Sequence, residues 1–136
     1  MALLSSRVVV AAVLSRLTGT SNVTAYLAQG PTPPVAKSCV IYPSPGGPDG
    51  VLGDPDRNVD LEFQTTSIGA TPEQALWTHD AIVARLNREK LTGTGWVTYP
   101  VRMIEGSQQP VRRDDALGTP WFYVTCSWSA TAQPSP

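Results

Sequence analysis

The stretch Val59-Asp60-Leu61-Glu62-Phe63-Gln64-Thr65-Thr66-Ser67-Ile68-Gly69-Ala70-Thr71-Pro72-Glu73-Gln74-Ala75-Leu76-Trp77, continuing to Leu86, changes its period part-way along. Val59, Leu61, Phe63 and Thr65 alternate with Asp60, Glu62, Gln64 and Thr66, the period of two expected of a strand with one buried face. Ser67 to Ala70 end that strand. Thr71 is then placed to N-cap a helix, with Pro72 at the first helical position and Gln74 completing a capping-box pattern. The spacing predicts a helix from Pro72 to about Lys90, with Ala75, Leu76, His79, Ile82, Val83 and Leu86 on a core-facing stripe. Trp77 projects from another side, near Ala81, Ala84 and Arg88, where a large aromatic is either covered by a loop or a subunit contact.

Upstream, MALLSSRVVVAAVLSRL is apolar but fails as a signal peptide on residue order: Arg7 follows Leu3 and Leu4, and Arg16 interrupts the approach to a cleavage site. It is also too short and too charged to span a bilayer. With helical spacing, Val10, Val13, Leu14 and Leu17 form a stripe, predicting a helix from about Ser6 to Leu17 that stops at Thr18-Gly19. Thr20 to Ser38 holds the breaker cluster Gly30-Pro31-Thr32-Pro33-Pro34, with at most a helical turn around Val23 to Leu27. Cys39 to Tyr42 reads as a short strand. Pro43 to Asn58 is nearly all turn residues and is expected to be a long Pro/Gly loop, the kind that is functional or disordered in a small domain.

Downstream, Thr92-Gly93-Thr94-Gly95 turns into Trp96 to Tyr99, and Val101 to Glu105 follows Pro100, which marks an edge, a bulge or a join between two short strands. Gly106 to Pro120 is a polar loop. The longest strand is Trp121 to Ala130, with Phe122, Val124, Cys126 and Trp128 facing the core. Its other face, Trp121, Tyr123, Thr125, Ser127 and Ser129, is amphipathic enough to touch a partner. Thr131 to Pro136 is expected to be a disordered tail, so residues 1–130 form one domain, which suits a chain of 136 residues. The expected fold is α+β: a mostly antiparallel sheet of about four strands with two helices packed on one face, leaving the other face partly uncovered.

The chemistry-bearing residues are few. A formal charge of −1 and the lack of any Lys/Arg run give no footprint for gripping nucleic acid. Arg112-Arg113 is followed at once by Asp114-Asp115, a charge-balanced turn. Cys39 and Cys126 read as free thiols of a reducing compartment, and two cysteines with one histidine cannot make an all-Cys/His zinc site. Asp54, Asp56, Asn58 and Asp60 alternate like the start of a calcium loop, but Val59 stands where the EF-hand glycine belongs and Thr65 where its bidentate glutamate belongs. His79 lies within the helix stripe, with no Gly-x-Ser-x-Gly nucleophile turn and Asp80 pointing elsewhere. No catalytic, cofactor or metal site is expected.

The N-terminal helix, the strand with its Pro/Gly loop, the segment Phe63 to Trp77 and the closing run from Arg112-Arg113-Asp114-Asp115 to Trp121-Phe122-Tyr123-Val124-Thr125 together resemble the tail terminator proteins of long-tailed bacteriophages. Neck and tail-completion proteins of the same virions are similar at this level. The resemblance implies a non-enzymatic virion protein at the head–tail junction, assembled in the host cytoplasm. It would form a homohexameric ring that caps the tail tube, stops its polymerisation and docks the head connector, with DNA only passing through the lumen and no membrane involved. On that reading Trp77, Arg88, Trp121 and Tyr123 are expected at subunit contacts. Asp49, Asp54, Asp56, Arg57, Arg112, Arg113 and Asp114 are expected on loops that meet the tail-tube protein or the connector. The competing class is a small ligand-binding or hydrolytic domain centred on His79.

Overall fold

The computed structural model describes residues 6–19, 23–30, 34–44, 47–51, 54–116 and 118–134. Two long strands carry the architecture. β4 (Asp54–Gly69) and β9 (Trp121–Pro134) lie antiparallel from Val59↔Ala132 to Gly69↔Phe122. On the far side of β4 runs β2 (Ser38–Pro43), antiparallel to it, and outside β2 lies β1 (Thr24–Leu27), parallel to β2. β3 (Gly47–Val51) pairs with the first part of β4 as a hairpin. Beyond β9 lie β6 (Trp96–Thr98) and then β5 (Thr92–Gly93), while β7 (Arg102–Met103) and β8 (Arg112–Asp114) pair with β9 at other positions along it. The main path is β1-β2-β4-β9-β6-β5.

The fold is therefore α+β in kind, but the expectation of about four strands is wrong: nine strands among the described residues join one mixed sheet. The main reason is the segment Pro43 to Asn58, expected to be a long loop. Its first part folds back on its second part and on the strand that follows, Gly47↔Asp60, Pro48↔Val59 and Asp49↔Asn58, with a register shift before Val51↔Asp54. Hydrogen bonding between backbones made strands where turn-rich composition implied none. Likewise Thr24–Leu27, expected at most to be a helical turn, is β1, and the strand predicted to end at Ala130 continues as β9 through Thr131 to Pro134, against β4 and β6. Residues 135–136 of the expected tail lie outside the described residues.

α1 (Ser6–Thr18) and α2 (Pro72–Leu86) pack into one core with the odd-numbered face of β2 and β4 and the even-numbered face of β9. Val9, Val13, Leu17, Ile82 and Leu86 meet Cys39, Ile41, Leu61, Phe63, Cys126 and Trp128 there. Trp128 is fully buried, stacks on Phe63 with ring centroids 6.4 Å apart, and donates its indole N–H to Thr65 Oγ1 at 3.0 Å, so the one polar atom of the largest core side chain has a partner.

The turn into α2 follows the capping logic with one offset. Thr71 Oγ1 accepts from Gln74 N at 3.1 Å, whereas Gln74 Oε1 accepts from the N–H of Ala70, one residue before the cap. Gly69 is required by contact rather than by dihedral angle: a Cβ there would lie 2.4 Å from the Ala75 nitrogen, because the first turn of α2 sits directly on the end of β4. Gly93 is pinned in the same way by the buried indole of Trp96.

α2 ends at Leu86, not near Lys90. Asn87 caps it in an extended conformation, and Arg88 turns left-handed (φ 64°), which sends its N–H to the Val101 carbonyl at 2.7 Å. Val101 N–H bonds Glu89 O in return. Pro100 therefore stands at a join between β6 and β7, where the chain leaves β9 to bind the segment after α2. The C-terminal ends of the two helices meet through exchanged guanidinium bonds: Arg16 Nε donates to Arg85 O at 3.1 Å and Arg85 Nη2 to Arg16 O at 3.2 Å, placing positive charge on carbonyl-rich helix ends.

Candidate assembly surfaces

α2 carries two kinds of surface. Ala75, Thr78, His79, Ile82 and Leu86 are buried, Thr78 satisfying its hydroxyl on the Gln74 carbonyl one turn back. Leu76, expected on the core stripe, is instead 47% exposed, and neighbouring Trp77 is 43% exposed. The buried stripe passes through polar Thr78 rather than Leu76, so the apolar residues alone misplace it. Lys37, in the turn before β2, holds its ammonium 5.1 Å from the Trp77 ring centroid, a cation–π contact that covers part of the indole. Glu73 and Asp80, one turn to either side, are exposed.

The four residues expected at subunit contacts do not form one patch. Trp77 lies on the N-terminal half of α2, and Arg88 is off the helix in the left-handed turn beyond it, so the stripe that was to join them stops short. Trp121 and Tyr123 lie on the odd-numbered face of β9, away from the helices. That face is not bare: Val40, Ile68 and Thr125 on it are buried, and Gly30 lies against Val40, while Tyr42 is exposed beside the Gln64–Ser127 pair. Tyr123 has its pKa raised chiefly by burial, with Asp114 and Tyr42 adding to it.

The residues expected to meet tube or connector separate into two groups at opposite ends of the sheet. Asp49 is in β3, and Asp54, Asp56 and Arg57 are in the part of β4 that extends past its pairing with β9. Arg112, Arg113 and Asp114 form β8, opposite Tyr123, Phe122 and Trp121 at the start of β9, where Arg113 is paired with Asp115 at 2.9 Å. From Trp121 to Ala132, where the hairpin begins, β9 spans about 36 Å at the usual rise per residue.

An apolar groove that sequence reading missed runs along α1. Val10, Ala11, Leu14, Leu27 and Pro43 line a volume of about 460 Å³, with Arg7 at the rim. Leu27 is 45% exposed. Three separate segments build this groove, so no local sequence signal marks it; the exposed small residue Ala11 between Arg7 and Leu14 is the only hint.

The residues with catalytic potential are held as structural groups. His79 is 5% exposed, and the Gln108 amide donates to its Nε2 at 3.0 Å, which leaves the ring proton on Nδ1, a buried atom with no hydrogen-bond partner among the described residues. Burial lowers the His79 pKa below the ordinary value, and the carboxylate of Asp80 opposes that shift. Cys39 is pushed up to about 12 by burial, and Cys126 is raised by burial against the opposing effect of its hydrogen bond with Ser107, so both thiols stay protonated at neutral pH. The calcium-like run from Asp54 to Asp60 is extended strand rather than a ligand loop. Among the described residues no group of three or more His, Cys, Asp or Glu is placed to hold a metal ion, and no helix is long and apolar enough to cross a membrane.

Comparison with protein-family models and with curated proteins returns no match.

Proposed function

We propose that this chain is a structural assembly subunit of a phage tail, a tail terminator that closes the tail tube as a ring and presents a docking surface to the head connector. One observation carries the reading: two charged segments, the β3–β4 hairpin and β8, lie at opposite ends of the same sheet, as an adaptor gripping one partner at each end requires. Between those ends the chain offers apolar surface for contact with its own kind, at Leu76 and Trp77 and in the α1 groove. Ring closure needs a heterologous contact, in which one patch meets a different patch of the next copy. The near-neutral charge suits a lumen through which DNA slides rather than sticks.

The test is assembly of tail-tube subunits of the same phage with and without the purified chain, followed by electron microscopy of the tubes. Rings at one tube end and a stop to elongation are the expected result. Tubes that grow unchanged, with no added density at either end, would overturn the proposal. Binding only to the connector end of finished tails would move the chain to the neck or tail-completion proteins.

A further inference from the structure

Arg88 and Arg102 are cations that the fold of the chain leaves unexplained. Arg16 is paired with Glu89 at 3.1 Å, Arg85 donates to the Arg16 carbonyl, Lys37 rests on Trp77 and Arg113 is paired with Asp115. Arg88 and Arg102, by contrast, are exposed, and neither guanidinium has a hydrogen bond or ion pair to another described residue. Both line one cleft of about 430 Å³, together with Asn87, Pro100 and Met103, and no carboxylate is among its lining residues. Glu89 is held by Arg16. Glu105, three residues beyond Arg102, and Glu62, in the cross-strand row of Ser129 and Arg102, do not line the cleft either.

The backbone sets the two arginines side by side. Arg88 gives its N–H to Val101 O at 2.7 Å, and Val101 immediately precedes Arg102, whose strand β7 is paired with Ser129 of β9. Capping of α2 does not account for Arg88, because the last carbonyls of the helix are already engaged: Val83 O by the N–H of Asn87, Arg85 O by Arg16 and Leu86 O by the N–H of Glu89. Nor does the turn, since Arg88 is left-handed (φ 64°), where glycine or asparagine would serve with less strain.

We infer that the cleft between the end of α2 and β7 binds a phosphate monoester, its phosphate held between the Arg88 and Arg102 guanidinia and its organic body against Pro100 and Met103. Two unpaired cations in one cleft repel each other, and a phosphate monoester, close to doubly charged at neutral pH, offsets both where a carboxylate offsets one. Guanidinium forks also match phosphate oxygens geometrically, and the Asn87 amide adds a neutral donor. A volume of about 430 Å³ is that of a small-molecule site and exceeds what a phosphate group alone needs; an adaptable thioether and a proline ring bound the remainder. Binding there is independent of ring assembly.

Phenyl phosphate is the probe, observed by saturation transfer from the full chain to its ring protons at constant ionic strength. Saturable binding with a Kd of about 1 mM is expected, the strength of a few exposed charge-assisted hydrogen bonds. Inorganic phosphate should displace the probe, and phenol, which lacks the anion, should give no comparable transfer. Arg88→Gln and Arg102→Gln, both at exposed positions and checked for folding by circular dichroism, should each raise the Kd about tenfold or more. Binding that inorganic phosphate does not displace, transfer to phenol equal to that to phenyl phosphate, or variants that bind as the wild type does would each overturn the site. The displacement and phenol arms use the wild-type chain alone, so they decide the matter even if a variant does not fold.

Discussion

The two faces of α2 differ in what they are for, although they share fifteen residues. Ala75, Ile82 and Leu86 lie in a dry core beneath which Trp128 and Phe63 stack, while Leu76 and Trp77 each leave nearly half of their surface in water. A chain that needed only to fold would gain nothing from the second face, since exposed apolar area contributes to stability only when it is removed from water. The contrast teaches that burial and hydrophobicity are separate facts here: polar Thr78 and His79 are inside, and the indole is outside. Substitutions on the two faces should therefore fail in different assays.

The largest effect belongs to the buried face. Ile82→Ala leaves a cavity in the core and is expected to cost about 2–5 kcal/mol in urea unfolding, with association unaffected wherever the variant is still folded. Gly69→Ala comes next. Its Cβ would drive into the backbone of α2 at Ala75, and overpacking of that kind costs about 1–3 kcal/mol; the same denaturation experiment reads it. If Gly69→Ala proved neutral, the seating of the helix on β4 would have to be revised.

A smaller effect concerns pH. The folded-state pKa of His79 lies below the unfolded value of 6.5, chiefly because of burial. Below that value the unfolded chain binds a proton that the folded chain resists, so stability should fall as pH drops through 6.5 and level off once the folded-state pKa has been passed. The mechanism is concrete: a proton on Nε2 removes the acceptor that Gln108 uses, loosening the segment before β8 from α2. Thermal melts across this range should show the slope in the wild type and lose that contribution in His79→Gln. An unchanged slope would place the acid sensitivity elsewhere. The smallest effect on stability is expected for Trp77→Ala, a loss of about 0.5–1 kcal/mol, the worth of its exposed cation–π contact with Lys37. A large loss in the dilute monomer would make Trp77 part of the fold and erase the contrast between the faces.

How far the sequence reaches can be judged residue by residue. The strand at Val59 to Gly69 was legible because its side chains alternate against a single core, and Thr71-Pro72-x-Gln74 marked the start of α2 because capping is a local matter. The β3–β4 hairpin was not legible, since Gly47, Pro48, Asp54 and Pro55 carry turn chemistry while backbone pairing between two neighbouring segments, with no side-chain alternation to mark it, decides the conformation. The end of α2 was missed because the stop is made by a left-handed Arg88 bonded to Val101, a contact across the sequence rather than a breaker residue. Of the candidate surface, Trp77 could be singled out by its phase on the helix. The groove on α1 could not, because α1, β1 and the end of β2 come together only in the folded chain.

Native mass spectrometry of the wild-type chain over a hundredfold range of concentration tests the central claim most directly. The account predicts a closed ring, six copies by the resemblance to tail terminators, that gains population as concentration rises. A monomer persisting across the whole range would contradict it.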